Sequence, residues 1–191
     1  LAQIGNIKAD NDELDSAMVY YQQAVAMNRA DRNTTGTGIS LNQIGSLLLK
    51  QERFAEAEDT LRTSYDLLLQ SGDRMQWLRP CISLGKLCIL TGRLDKAQHY
   101  LDTAQVVADQ IESSKQMGKI NFLRSELYKR RGDYRLAFHY LEQGCLYEDS
   151  LRAMDNQQVT YQREQLVRQE HFNAQMEVKD DMIEAERMRH R

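Results

Sequence analysis

The chain has 191 residues, of which 41% are hydrophobic and 28% are charged, and its formal net charge is −3. A charge this small excludes a general electrostatic attraction to nucleic acid or to an anionic membrane surface. One proline and ten glycines leave few helix-breaking positions, so the composition predicts a mostly helical protein.

A 40-residue spacing organises most of the chain. The most regular positions are Ala17, Ala57, Ala97 and Ala137, and the residues 12 before them are Gly5, Gly45, Gly85 and Ser125. A fixed spacing in this range indicates a repeat array, in which each repeat buries its apolar face only by stacking on its neighbours. The glycine lets the first helix of a repeat approach the second, and the alanine lets the next repeat pack closely.

Each repeat predicts two helices joined by a short turn. The turns at 10–12, 51–53, 91–93 and 131–133 contain Gly, Asn, Asp or charged residues, several of which favour helix ends. Longer polar segments at 31–37, 70–74 and 112–116 are expected to separate the repeats. The predicted repeats therefore cover about 1–30, which is truncated, 38–70, 74–112 and 115–147, within a domain of residues 1–150.

Residues 151–191 predict a long charged helix. They contain seven Lys or Arg and eight Asp or Glu, and neither Gly nor Pro occurs after Gly144. A partial apolar stripe runs through Val167, Ala174, Val178, Met182, Ala185 and Met188. It is not a sustained heptad, because Asp181 lies seven residues after Ala174. Two interpretations stay open: a solvated capping helix, or a helix that joins two copies in a homodimer or carries a signal.

The repeated residues resemble the tetratricopeptide repeat family, in a variant with a 40-residue repeat. The resemblance is carried by Ile44-Gly45 with Ala57 and Leu61, and by Leu84-Gly85 with Ala97 and Leu101. It implies an all-α fold, a right-handed superhelix of helix pairs, followed here by a long C-terminal helix. It also implies a non-catalytic module that binds proteins or peptides.

The junction at 147–151, followed by a charged helix, resembles bacterial signal-transduction proteins. In these proteins the repeats precede a helix that leads to a membrane span and then to a histidine kinase or DNA-binding output. Both chain ends fall inside helical patterns, so we expect a soluble fragment of a longer, membrane-anchored protein. The compartment, periplasm or cytoplasm, stays open. Residues 1–191 contain no run of 18 apolar residues and predict no membrane span.

No residue set predicts catalysis, a cofactor or a metal. His99 and His139 occupy equivalent positions, but exposed histidines explain them better than a metal pair does, and His171 lacks the sequence context of a kinase phospho-acceptor. The odd cysteine count without a CxxC motif argues against a disulfide framework or structural zinc. Cys81 and Cys88 are predicted to be small core residues. We therefore predict that this chain is not an enzyme.

The resemblance implies a binding groove formed by the first helix of each repeat. Its predicted lining residues are Asn6, Asn42, Ser46, Lys50, Arg79, Ile82, Lys86, Ile89, Lys119, Phe122, Glu126, Lys129 and Arg130. Six of them are basic, which favours an acidic or C-terminal peptide ligand, because Lys and Arg pair with carboxylates. The alternative is that long basic side chains only solvate the groove. Ala2 and Gln43 depart from the carboxylate clamp of chaperone-binding relatives, which argues against a co-chaperone.

Two functions follow from these features. The first is the sensory or partner-docking region of a bacterial signal-transduction regulator. The second is a static adaptor that holds a protein complex together. The long helix distinguishes them, since a static adaptor does not need it.

Overall fold

The computed structural model describes the backbone of residues 1–189 and the side chains of residues 1–166, 168 and 169. All regular structure in these residues is α-helical, and the predicted all-α repeat solenoid is confirmed. The helices are α1 (Ala2–Asp10), α2 (Leu14–Ala30), α3 (Thr34–Lys50), α4 (Phe54–Gln70), α5 (Arg74–Leu90), α6 (Leu94–Gln110), α7 (Ser114–Arg130) and α8 (Tyr134–Arg189).

The turns between helices recur every 20 residues. Each contains one residue in the left-handed region, namely Asp12, Arg32, Glu52, Gly72, Gly92, Glu112 or Gly132. At the end of α2, the Arg32 amide donates to the Arg29 carbonyl at 3.1 Å and the Asn33 amide to Asn28 at 2.8 Å. This pair of bonds is a Schellman motif, which satisfies the last carbonyls of the helix. The same pair of bonds closes the other turns except 71–73, where the Asp73 amide donates to the Ser71 hydroxyl instead. Every turn spans three residues.

The turns between repeats are as short as those within repeats, so the longer separators predicted at 31–37 and 112–116 are wrong. Helix α3 already begins at Thr34 and α7 at Ser114. The Asn33 side chain caps α3 by accepting a hydrogen bond from the Gly36 amide at 2.7 Å. Polar residues that seemed to form a linker are therefore the first turn of a helix, with Thr37 buried.

Close contact between the two helices of a repeat depends on the predicted glycines. A Cβ placed at Gly45 would lie 2.5 Å from Leu61, and one at Gly5 would lie 2.5 Å from the Tyr21 ring. A side chain at either position would therefore collide with the facing helix. The role predicted for the glycine position is confirmed in these repeats.

The predicted alanines lie where consecutive repeats meet. Ala57 is fully buried in a cluster with Leu84 and Leu87 of the following α5. Ala97 is packed in the same way with Leu127 of α7. Small side chains here let the next first helix contact the second helix closely, as predicted.

The chain divides into two compact units, Leu1–Glu148 and Asp149–Arg191. The first contains α1 to α7 and the beginning of α8. In the second, the apolar side chains Met154, Val159, Tyr161 and Leu166 are exposed. The predicted stripe from Val167 to Met188 lies outside the described side chains. Within the described residues, no helix has both the length and the apolar character needed to cross a bilayer.

Candidate ligand-binding groove

A cavity of about 390 Å³ lies among the first helices of all four repeats. We call it the basic pocket, and its lining residues are Asn6, Asn42, Ser46, Arg79, Ile82, Ser83, Lys115, Gln116 and Lys119. Six of these are predicted groove residues, so α1, α3, α5 and α7 bring together side chains that are far apart in sequence.

Hydrogen bonds between neighbouring repeats position the polar wall of the basic pocket. The Ser83 hydroxyl donates to Asn42 Oδ1 at 3.0 Å, and the hydroxyls of Ser46 and Ser83 are 3.4 Å apart. Asn42 is only 9% exposed, so its amide is held in one orientation. This wall therefore offers fixed polar groups, which lose little entropy when a ligand binds.

Asn6 forms the end of the pocket nearest the N-terminus. Its Oδ1 accepts hydrogen bonds from the Tyr21 hydroxyl at 2.9 Å and from Gln43 Nε2 at 2.7 Å. These two bonds occupy the amide oxygen and leave the Asn6 NH₂ group as a donor. Gln43 Oε1 is buried without a hydrogen-bond partner among the described residues.

Three cations contribute to the basic pocket, and none of its described lining residues is a carboxylate. Arg79 comes from α5, while Lys115 and Lys119 are one turn apart on α7. Partial desolvation and the nearby charges of Lys115 and Arg79 lower the pKa of Lys119, although the residue as a whole is exposed. Cations that repel each other in this way are stabilised by a bound anion.

The remaining basic residues of the predicted groove have a different environment. Glu126 is 2.9 Å from Arg130 Nε and 3.9 Å from Lys129 Nζ, so one negative charge partly offsets two positive charges. Lys50 donates to the Ala9 carbonyl at 3.4 Å, and Lys86 is exposed. Of the predicted groove, the basic pocket is thus the part where three cations lie together, while Lys50 and Lys86 are single positive charges outside it.

Two apolar residues of the predicted groove, Ile89 and Phe122, pack against the chain itself. Ile89 is 1% exposed and packs with Ala97 and Leu127, so its assignment to the groove surface is wrong. Phe122 is half-buried, and its ring lies 2.9 Å from where a Cβ at Gly144 would be. The ring therefore packs on the backbone of α8, which explains why this repeat has glycine at that position.

Sequence reasoning missed Ser83, Lys115 and Gln116 as lining residues. Ser83 is one residue after Ile82, and the helical step places both side chains on the pocket. Lys115 precedes Lys119 by four residues, a spacing that puts two side chains on one face of a helix. The four-residue spacing is visible in the sequence, but it predicts a shared helix face only if α7 is known to begin at Ser114.

A second cavity, of about 400 Å³, lies between α4, α5 and α6 and includes Cys88, His99 and Tyr100. Its charges are largely paired, because Glu58 accepts from Arg62 at 2.6 Å and from Arg93 at 2.9 Å. Burial raises the pKa of the Cys88 thiol, which makes a reactive thiolate unfavourable.

The described residues hold no group of three or more His, Cys, Asp or Glu that could bind a metal. His99 and His139 are both exposed, and each ring contacts a neighbouring tyrosine ring. The side chain of His171 lies outside the described residues. Cys81 and Cys88 are buried core residues, as predicted.

Comparisons with known proteins support the repeat type. Residues 1–31 match the family model described as Tetratricopeptide repeat. A search of curated proteins gives no match. The crystal structure of BtubC (BKLC) from P. vanneervenii is similar in fold, with a TM-score of 0.65 at 12% sequence identity. The alignment covers 79% of this chain and 63% of that one, so this chain spans less than two thirds of the length of BtubC.

The two findings agree on architecture. The family match supports a tetratricopeptide-type repeat, and the structural similarity supports a helical repeat fold. Tetratricopeptide repeats generally mediate protein–protein interactions, and the all-α repeat fold is typically non-catalytic.

Proposed function

We propose that the chain is a non-catalytic binding module whose basic pocket takes a carboxylate of a partner protein, from an acidic side chain or a C-terminus. The observation that carries the proposal is the set of Arg79, Lys115 and Lys119 around a cavity with no acidic lining residue. A carboxylate entering this cavity would gain charge-assisted hydrogen bonds and relieve the repulsion among the three cations.

The polar wall suggests how the rest of the peptide is held. The Asn6 and Asn42 side chains lie on α1 and α3, next to the cations of α5 and α7. The Oδ1 atoms of Asn6 and Asn42 already accept hydrogen bonds within the chain, so both side chains would offer their NH₂ groups to peptide carbonyls, which favours an extended segment crossing the first helices. Ile82 supplies the single apolar contact in the lining, so affinity would depend mainly on polar groups.

We further propose that the module is the sensory or partner-docking region of a bacterial signal-transduction regulator. The support is the resemblance of the 147–151 junction to such proteins and the continuation of α8 to Arg189. A static adaptor is equally compatible with the repeats. Deleting 152–191 distinguishes the two, because a regulator would keep its partner but lose its output, whereas an adaptor would keep both.

Binding of short fluorescent peptides, followed by anisotropy, tests the pocket. Peptides rich in Asp and Glu should bind, and lysine-rich peptides of the same length should not. Lys119→Glu should weaken binding by about a hundredfold, since it removes one attraction and adds one repulsion, together roughly 2–3 kcal/mol. Lys96→Glu is the matched control, because Lys96 is exposed on α6 and does not line the basic pocket. Equal weakening by both variants would contradict the proposal.

A further inference from the structure

The first part of α8 carries an apolar stripe that faces solvent. Tyr134, Phe138 and Leu141 are 70%, 68% and 44% exposed, and Cys145 continues the stripe with an exposed thiol. The spacing of four, three and four residues is the spacing of a helix–helix seam. Large apolar side chains are seldom grouped at the surface unless something covers them.

The equivalent faces of the earlier repeats are covered. Leu141 corresponds to Tyr21, Leu61 and Leu101, which are at most 4% exposed. Each of these is packed with a leucine of the next first helix, for example Leu61 with Leu84 and Leu87. The α8 face is therefore continuous with an interface that the chain forms three times, and among the described residues this face has no equivalent cover.

Charges beside the stripe indicate which occupant fits. Arg135 and Glu142 are exposed and lie seven residues apart, on the same flank of the stripe. If a second α8 runs antiparallel, with Phe138 opposite Leu141 of the other copy, Arg135 of each copy lies near Glu142 of the other. Two-fold symmetry forms this ion pair twice. A parallel pair would instead bring this flank near Ala137 and Gly144, which carry no charge.

We propose that the Tyr134–Cys145 face of α8 binds the same face of a second copy of the chain, in an antiparallel pair. The core layers would be Phe138 with Leu141 and Tyr134 with Cys145, flanked by the pairs between Arg135 and Glu142. This interface is separate from the basic pocket. It also differs from a homodimer formed through 151–191, because its contacts lie within the first compact unit, Leu1–Glu148.

Solution mass of the whole chain by light scattering is the first test. The wild type should be a dimer, and Phe138→Glu should be a monomer with unchanged far-ultraviolet circular dichroism. Leu146→Glu is the matched control, because Leu146 is 58% exposed on the same helix but outside the stripe, and it should stay dimeric. A monomeric wild type, or a dimer that survives Phe138→Glu, would overturn the proposal.

Charge exchange and thiol crosslinking test the orientation. Arg135→Glu and Glu142→Arg should each weaken dimerisation about tenfold, and the double variant should restore it. Mild oxidation of Tyr134→Cys should link the new thiol to Cys145 of the second copy. The wild type should not crosslink, since Cys145 faces Tyr134. A wild-type crosslink through Cys145 would show a parallel pair and overturn the antiparallel arrangement.

Discussion

Replacing Gly45 with alanine tests how closely the helices of a repeat must approach. A Cβ at Gly45 would lie 2.5 Å from both Cγ and Cδ2 of Leu61, a fully buried side chain. At Gly85, the equivalent position in the next repeat, it would lie 3.0 Å from Cδ2 and 3.3 Å from Cγ of Leu101. The same substitution thus meets a collision in one repeat and a tight contact in the other.

Two free-energy terms of opposite sign, helix propensity and overpacking, determine the effect of each glycine-to-alanine substitution. Alanine is favoured over glycine in a helix by about 1 kcal/mol. Overpacking a well-packed core costs about 1–3 kcal/mol. At Gly45 the collision should cost the upper end of that range, so we expect the free energy of unfolding to fall by about 2 kcal/mol. At Gly85 a shift of a few tenths of an ångström suffices, and the two terms should nearly cancel.

Urea unfolding followed by far-ultraviolet circular dichroism gives the comparison. Gly118→Ala is the control, since its Cβ would lie 3.3 Å from Tyr147 and should also change stability little. If Gly45→Ala unfolds at the same urea concentration as Gly85→Ala, the helices of the second repeat are not held by the glycine contact, and the packing argument fails.

Three further predictions concern the turns, the thiols and the basic pocket. Glu112→Gly should stabilise the fold by about 0.5–1 kcal/mol in urea unfolding, because Glu112 has φ of 50°, while Gly92→Ala should destabilise it by about 1 kcal/mol. In the monomeric Phe138→Glu variant, a thiol reagent should label only Cys145, since Cys81 and Cys88 are buried and burial raises the pKa of Cys81 to about 12; a second fast-reacting thiol would contradict this. Because the pKa of Lys119 is lowered below 10.5, acidic-peptide affinity should decline as pH rises through that lowered value, and Lys119→Arg should remove the decline.

The repeat spacing was enough to predict the fold, because glycine and alanine recur where helices touch. It did not reveal that the turns between repeats are as short as the turns within them. Arg32, Glu52 and Glu112 occupy the left-handed position although none is a residue that favours it. The turn is fixed there by backbone hydrogen bonds at the helix end, which leave no mark on the side-chain pattern.

The candidate site was predictable only in part, because the sequence does not fix which face of each first helix points toward the pocket. Residues before and just after the glycine position, such as Asn42 and Ser46, do line the basic pocket. The residue four after it is buried in two repeats, as Leu49 and Ile89, and is exposed in the fourth repeat, as Lys129. Lys115 falls within the predicted separator 112–116, because the start of α7 at Ser114 depends on the turn at 111–113. Clustering of three cations emerges only when α5 and α7 are packed together.

The most direct test of the central claim is to map an acidic peptide onto the chain by amide chemical-shift perturbation. We predict that the largest shifts cluster at Asn42, Ser83, Gln116 and Lys119, around the basic pocket, and that Lys119→Glu abolishes them. Shifts concentrated at His99 and Tyr100, or on the first part of α8, would place the ligand elsewhere and contradict the account.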